Sequence, residues 1–363
     1  MIGFTAFVWS LLRLGVAATL FFFCASHWWA TKARADFDAL PVYNFSVAAE
    51  AQRNAGNFGE ALLIVDAGLD AASGEMQAEL FTLKARIQTE RDDVLRRLRE
   101  VARGALTGRG DSPEALTGAV AADLLVVGDV RDLVIQGARA LRGEDADEVI
   151  FALSAAGLAT TLAPEVDAGV AILKFARRVG ALGDAFAKNL LRLVRRAVET
   201  RSGDELAQVA NDAVRLTKAA RPAGALKILK LVDDPATLHR VAGFAGRPGG
   251  AFALWLGRER SLNWLKSAGP EGEEWLLRAA RKGDAGIDLL IRKGRLLFRP
   301  HPLLGLIKSV YKGNIPALLL ALFESQADAL FGVVAGWLSF ELLFLGFRVQ
   351  RFRRRTTNPA PAK

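Results

Sequence analysis

Residues 329–347 read ALFGVVAGWLSFELLFLGF, an almost unbroken apolar run that leads into Arg348, Arg351, Arg353, Arg354 and Arg355 with no acidic residue after it. These 19 residues, at about 1.5 Å of helical rise each, reach roughly 28 Å, close to the hydrocarbon thickness of a bilayer. An arginine cluster immediately past such a span marks its cytoplasmic end. The stretch therefore predicts a transmembrane helix at 329–347 followed by a basic cytoplasmic tail at 348–363, with the five arginines as the topogenic signal.

Working outward, residues 14–30, LGVAATLFFFCASHWWA, are the second membrane candidate and place an N-terminal transmembrane helix within 1–30. Arg13 stands at its near edge. Trp28 and Trp29 stand at its far edge, where indoles favour the membrane interface. A cleaved leader competes with this reading, because Ala33-Arg34-Ala35 puts small residues at a suitable spacing. Arg34 and the bulky tryptophans make that a poor cleavage site, so an uncleaved span is preferred. With two spans both termini are cytoplasmic, and the body between them is periplasmic at a bacterial inner membrane. Residues 301–323, HPLLGLIKSVYKGNIPALLLALF, leave an alternative open, since a third span there would move the body to the cytoplasm. Lys308, Lys312, Asn314 and Pro316 oppose it, each lysine costing about 2.5–3.5 kcal/mol in a bilayer centre. The segment reads instead as amphipathic and membrane-proximal.

The net charge of +9 suggests nucleic acid at first sight. Of the 48 lysines and arginines, seven lie outside residues 14–347, and the 41 that remain face all 39 acidic residues, leaving +2. The excess is a topogenic tail with affinity for anionic lipid, and no nucleic-acid partner is expected. The single cysteine, Cys24, excludes an intrachain disulfide. The arginine-rich, lysine-poor composition has a bacterial, GC-rich character.

The expected fold class is all-α: two terminal transmembrane helices and a body of helical hairpins or arrays. Helix starts carry proline at the first position at Pro113, Pro164, Pro235 and Pro270, where the missing N–H is no loss. Stops pair a basic residue with glycine at Lys282-Gly283, Lys293-Gly294 and Lys312-Gly313. Three sections follow: helical hairpins and a charged helix (89–103) at 42–105, an apolar helical domain at 106–202, and an array of short helices at 203–299. Within the second, residues 150–163 predict a buried helix too short to span, with 166–179 as its hairpin partner. Residues 124–127, LLVV, are the best strand-like stretch but read as a helix broken at Gly128.

Residues 51–73, AQRNAGNFGEALLIVDAGLDAAS, carry the turn Gly56-Asn57-Phe58, then Glu60-Ala61-Leu62, Val65, Gly68 and Leu69. This pattern resembles the second half of a tetratricopeptide repeat, over about residues 44–73. The resemblance implies that Gly56, Phe58, Ala61, Val65 and Leu69 interlock two antiparallel helices and that the surface binds a peptide or protein. The helix-A tryptophan and tyrosine of that family are replaced by alanines near 48–51, and the closing proline is absent. A partial second copy lies at 79–87. The remainder resembles uncharacterised bacterial membrane proteins.

No motif for catalysis emerges. The three histidines, His27, His239 and His301, have no metal-ligand spacing, and neither a phosphate loop nor a nucleophile elbow is present. Residues 108–113, GRGDSP, read as a turn and helix start, and the acidic residues 144–148 as a solvated turn. No cofactor is expected. The membrane residues say more. Gly332 and Gly336, extended by Ala335 and Ser339, form a small-xxx-small face suited to helix packing. Glu341 lies inside the span, where an unpaired carboxylate is costly. Arg13 enters from the same side at a similar depth and is its expected interhelical partner, with Arg348, two turns on, as the competitor. The functional expectation is a membrane-anchored interaction or scaffold protein without catalysis, contacting lipid and a protein partner, with homo-oligomerisation open. A membrane-active, pore-forming protein is the alternative, and an enzyme with an unrecognised motif comes third.

Overall fold

The computed structural model describes residues 2–106, 149, 153, 164–200, 203–298 and 327–357. The expectations for 108–113, 124–127, 144–148 and 301–323, and most of that for 150–163, lie outside the described residues. Among those described, the chain is all-helical, with thirteen helices and no strand. It divides into two compact units, Met1–Leu40 with Arg292–Lys363, and Pro41–Ile291. The first helix, α1 (Ile2–Asp38), is 37 residues long.

The larger unit opens with α2 (Phe45–Asn54), whose start is capped by the Asn44 side chain accepting from the Val47 N–H at 3.1 Å. Gly56 takes a φ of +80° in the tight turn to α3 (Phe58–Ala71). Most of α3 is buried, packed against α2 and later helices. A Cβ on Gly68 would lie 2.8 Å from Phe45 Cβ and 2.9 Å from Leu80 Cδ1. The bare backbone therefore sets how closely the flanking helices approach. Next comes α4 (Glu75–Leu106), one unbroken helix through both 79–87 and 89–103. The expected helical hairpins over 42–105 are three consecutive helices, α3 packing on both α2 and α4, with the charged stretch continuing α4 rather than forming a separate helix. No glycine or proline interrupts residues 75–103, so nothing there breaks the backbone.

After α5 (Pro164–Arg178) and α6 (Asp184–Thr200) comes the pole of the body, α7 (Asp204–Leu229). It touches α3, α5 and α6, and also the two helices that follow it, α8 (Pro235–Ala245) and α9 (Gly250–Gly257). Arg221 bends α7 with φ 59° and ψ 158°, an extended ψ that the following Pro222 favours. Its guanidinium donates to Asp66 Oδ2 at 2.7 Å. Gly169 of α5 lies so close to α7 that a Cβ would sit 2.2 Å from the Ala210 carbonyl oxygen. The described partner of 166–179 is therefore α7, and residues on both sides of 202 share one core.

The chain continues with α10 (Glu259–Ser267), α11 (Pro270–Ala280) and α12 (Gly283–Phe298), whose last residues belong to the smaller unit. Proline opens α5, α8 and α11 at Pro164, Pro235 and Pro270. Gly283 has a φ of +72° after Lys282, as a stop signal requires. Gly294, by contrast, lies inside α12. Ile287, Leu290, Gly294 and Leu297 are all buried at helical spacing, and this continuous apolar face overrides the expected stop at Lys293-Gly294. The last helix, α13 (Ala327–Thr357), returns to the smaller unit.

Two outcomes follow for stability. Gly169→Ala drives a methyl group into the α7 backbone and is expected to lower unfolding free energy by roughly 1–3 kcal/mol, read from denaturant unfolding in detergent. The second concerns Asp234. Partial burial pushes its carboxyl up, but hydrogen bonds from the Thr237 N–H and hydroxyl, from the Ala236 N–H, and the charge of Lys266 outweigh that and hold it below the usual carboxylate value. Its folded value being depressed, the stabilisation is present above the ordinary aspartate pKa and is lost as pH falls through the folded one. Asp234→Asn keeps a capping oxygen, so neutral-pH stability should stay within about 1 kcal/mol, while the acid limb of the stability profile flattens.

Candidate functional site

The candidate site is the seam between α1 and α13, the two helices long and apolar enough to cross a membrane, over Val8–Asp38 and Asp328–Gln350. Ser10, Leu14, Ala17, Phe21, Cys24 and Trp28 of α1 are shielded, as are Phe331, Val334, Leu338, Glu341, Leu345 and Arg348 of α13. Both sets step by alternating threes and fours, the spacing that keeps one stripe of a helix against a partner. The helices pair antiparallel: Arg348 meets Ser10, Arg13 meets Glu341, and Trp28 meets Asp328 and Phe331.

Glu341 is the polar centre of this seam. Its side chain is 1% exposed. Arg13 Nε donates to its Oε1 at 2.9 Å, and Arg13 Nη2 donates to the same oxygen. The Trp337 indole N–H, one turn back, donates to that oxygen at 3.2 Å. The Arg13 side chain is 43% exposed, so the pair is asymmetric, with a buried acid and a half-exposed base. Arg348, the competing partner, instead donates to the Ser10 hydroxyl at 2.6 Å and lies 4.8 Å from the Phe344 ring centre. At the far end the Trp28 indole N–H donates to Asp328, and its ring stacks on Phe331 at 5.0 Å. Hydroxyls elsewhere on the pair bond back to their own helix, Thr19 to the Gly15 carbonyl and Ser339 to the Ala335 carbonyl, each at 2.8 Å.

The small residues take no part in this seam. Gly332, Gly336 and Ser339 are exposed, and nothing beyond its own helix lies within 4 Å of where a Cβ would stand on either glycine. The two glycines therefore lie on a face of α13 turned away from α1, and the seam is made by other residues, small ones such as Ser10, Ala17 and Cys24 of α1 among them. Arg351, Arg353, Arg354 and Arg355 continue α13 beyond the seam.

In the larger unit, Gly56 makes the turn between α2 and α3. Phe58, Ala61 and Val65 are buried behind it, and Leu69 is half-buried. Sequence reasoning missed a second cluster. Asp212 of α7 is 3% exposed and binds His239 Nδ1 of α8 at 2.9 Å and Arg215 at 3.3 Å. Another buried carboxylate, Glu60 of α3, is ion-paired to Lys227 of α7. These pairs stitch neighbouring helices through α7. Among the described residues, no hydroxyl or thiol is hydrogen-bonded to His239 and no group of three or more His, Cys, Asp or Glu is placed to hold a metal ion. Trp337 had a readable signal, its place one turn before Glu341. Arg215, one turn after Asp212, was equally local, whereas His239 and the Trp28 partner of Asp328 lie far along the chain and had no such signal.

No protein-family profile, curated protein or solved structure matches the chain.

The asymmetry of the pair fixes the direction of a substitution test. Arg13→Leu leaves a buried carboxylate without its cation and is expected to weaken the α1–α13 association by about 3–5 kcal/mol. Glu341→Leu strands only a half-exposed arginine and should weaken it less. The double variant should recover most of the loss. Resistance of the full chain to SDS in mixed micelles reads all three, and equal, additive losses would show that the two residues do not depend on each other.

Proposed function

We propose that the chain is a membrane-anchored helical interaction protein of the bacterial envelope. Two antiparallel spans hold a periplasmic body against the inner membrane, and the basic tail is cytoplasmic. The observation that carries this reading is the buried Glu341, met by Arg13, inside two long helices whose outer faces are apolar. Within the apolar windows of α1 and α13 only 17% and 6% of residues are buried, which argues against the core helices of a soluble domain. Phe22, Val333, Leu343 and Phe347 are between 62% and 74% exposed, side chains suited to lipid and costly in water. A removable leader is disfavoured on the same ground, because its loss would take Arg13 from Glu341 and leave a lone buried carboxylate.

Antiparallel pairing also favours a common side for both termini, with residues 41–291 leaving α1 at the end where α13 begins. The arginine cluster assigns the terminal side to the cytoplasm. For the body, a binding role is supported by its helices stacked about α7, by the repeat-like α2–α3 hairpin, and by its near-neutral charge. The partner in this reading is another envelope protein met at the membrane surface, with anionic lipid as a second contact of the tail.

Reporter fusions near Gly110 and Ser202 test the arrangement. Both should report the periplasm, and cytoplasmic signals at both would sink the assigned topology. Cross-linking followed by mild detergent extraction should then recover a protein at fixed stoichiometry with the full chain. Recovery of the chain alone would count against an interaction role.

A further inference from the structure

The end of the helix pair marked by Trp28 and Asp328 carries a pocket of about 350 Å³ inside the smaller unit. It is lined by Lys32 and Asp36 of α1 and Lys293 of α12, by Trp28 and Trp29, and by Ala33 and Leu296. We propose that this pocket binds the phosphate of an anionic phospholipid headgroup. The inference rests on the membrane-spanning reading of α1 and α13.

Depth is the first argument. Arg13 and Lys32 are separated by eighteen residues that contain no Asp, Glu, Lys or Arg. Helical rise puts the two cations roughly 28 Å apart along α1. If Arg13 lies at one edge of the hydrocarbon, Lys32 falls in the headgroup layer of the other. Paired indoles are favoured at that same level.

Charge is the second. Lys293 Nζ lies 2.8 Å from Asp36 Oδ2, whereas Lys32 has no carboxylate ion partner among the described residues and is held 5.1 Å over the Trp28 ring. Among the residues that line the pocket, two ammonium groups face one carboxylate, a net charge of plus one that complements an anion; Asp328, bonded to the indole N–H of Trp28, stands nearby without lining it. Shape is the third. Trp29 is 59% exposed, and it and Leu296 offer apolar surface next to the ammonium groups. A phosphate diester with glycerol and acyl carbons attached matches both surfaces at once. A free phosphate ion would use only the polar one. Asp36 competes with the phosphate for Lys293 and limits affinity.

The test uses the full chain in mild detergent, titrated with phosphatidylglycerol and read by native mass spectrometry as the fraction retaining one lipid. The Lys32→Ala/Lys293→Ala double variant should bind roughly thirtyfold more weakly, as expected for two lysines at an anionic membrane surface. Asp36→Asn should retain more than the wild type, a gain that misfolding cannot mimic. Unchanged retention in the double variant, or no gain in Asp36→Asn, overturns the proposal. So does displacement of the lipid by inorganic phosphate at equal concentration, which would assign the pocket to free phosphate. Alkaline carbonate extraction of membranes from the same cells keeps the two readings apart. Release of the chain would sink the membrane-spanning reading itself, whereas resistance to extraction with unchanged lipid retention removes only this site.

Discussion

The pairing of α1 with α13 is organised by one constraint: a carboxylate, Glu341, is buried between two long apolar helices, and it has to be met by a cation. Arg13 meets it from the opposite helix. In lipid, apolar side chains contribute little to helix association, because acyl chains are as apolar as leucine. Polar contacts then acquire disproportionate weight in choosing how two helices sit. Here they occur at three levels along the pair, Arg348 with Ser10, Arg13 with Glu341, and Trp28 with Asp328. Sliding one helix past the other by a turn would break all three together. The ion pair therefore specifies register as well as adhesion, and it aligns the helix ends on which any membrane orientation depends.

The body solves the opposite problem. There apolar burial carries most of the adhesion between helices, with buried pairs such as Glu60–Lys227 and Asp212–His239 adding to it. What limits packing is how near the backbones can come. Gly68 and Gly169 stand where a methyl group would meet Phe45 or the Ala210 carbonyl, and α7 gathers five helices around itself. Glycine thus does for the body what Glu341 does for the anchor, fixing separation where the ion pair fixes register. The glycines of α13 illustrate the contrast. Gly332 and Gly336 have the spacing of a close-packing motif, yet they face outward, because the stripe that carries Glu341 and meets Arg13 lies on the other side of the helix.

Much of this was legible in the sequence, and the reason is local. Apolar runs, proline at helix starts and a charge stranded in an apolar run act within one or two turns, so the two long helices and the Pro164, Pro235 and Pro270 starts could be read directly. Glu341 and Arg13 could be matched across more than three hundred residues because few charges occur in either run. Local signals failed where packing decided. Gly294 follows a lysine as a stop should, but the buried face of α12 continues through it. The carboxylate of Asp212 meets His239 only because α7 and α8 are folded together, and nothing near either residue announces it. The outward direction of Gly332 was equally unreadable, since which face of a span is inward depends on the partner helix.

On the proposed topology, the two ends of the helix pair differ in a way that bears on orientation. Positive-inside bias counts lysine and arginine close to the spans, and acidic residues contribute little to it. Arg13, Arg348, Arg351, Arg353, Arg354 and Arg355 flank the end near the termini, whereas Lys32 and Arg34 flank the α1 side of the other. Arg13 and Arg348 are engaged within the seam, by Glu341 and Ser10. Arg351, Arg353, Arg354 and Arg355 add four more basic residues to the count at that end. At the opposite end Lys32 lies over Trp28, and Arg34 Nε donates to the Leu297 carbonyl at 3.4 Å. Two cations held in this way compete weakly for the cytoplasmic face with the arginine cluster that follows the last span. The pair of basic residues that most weakens the assigned orientation in the sequence is thus, in the folded chain, drawn into local contacts on the side that the orientation requires.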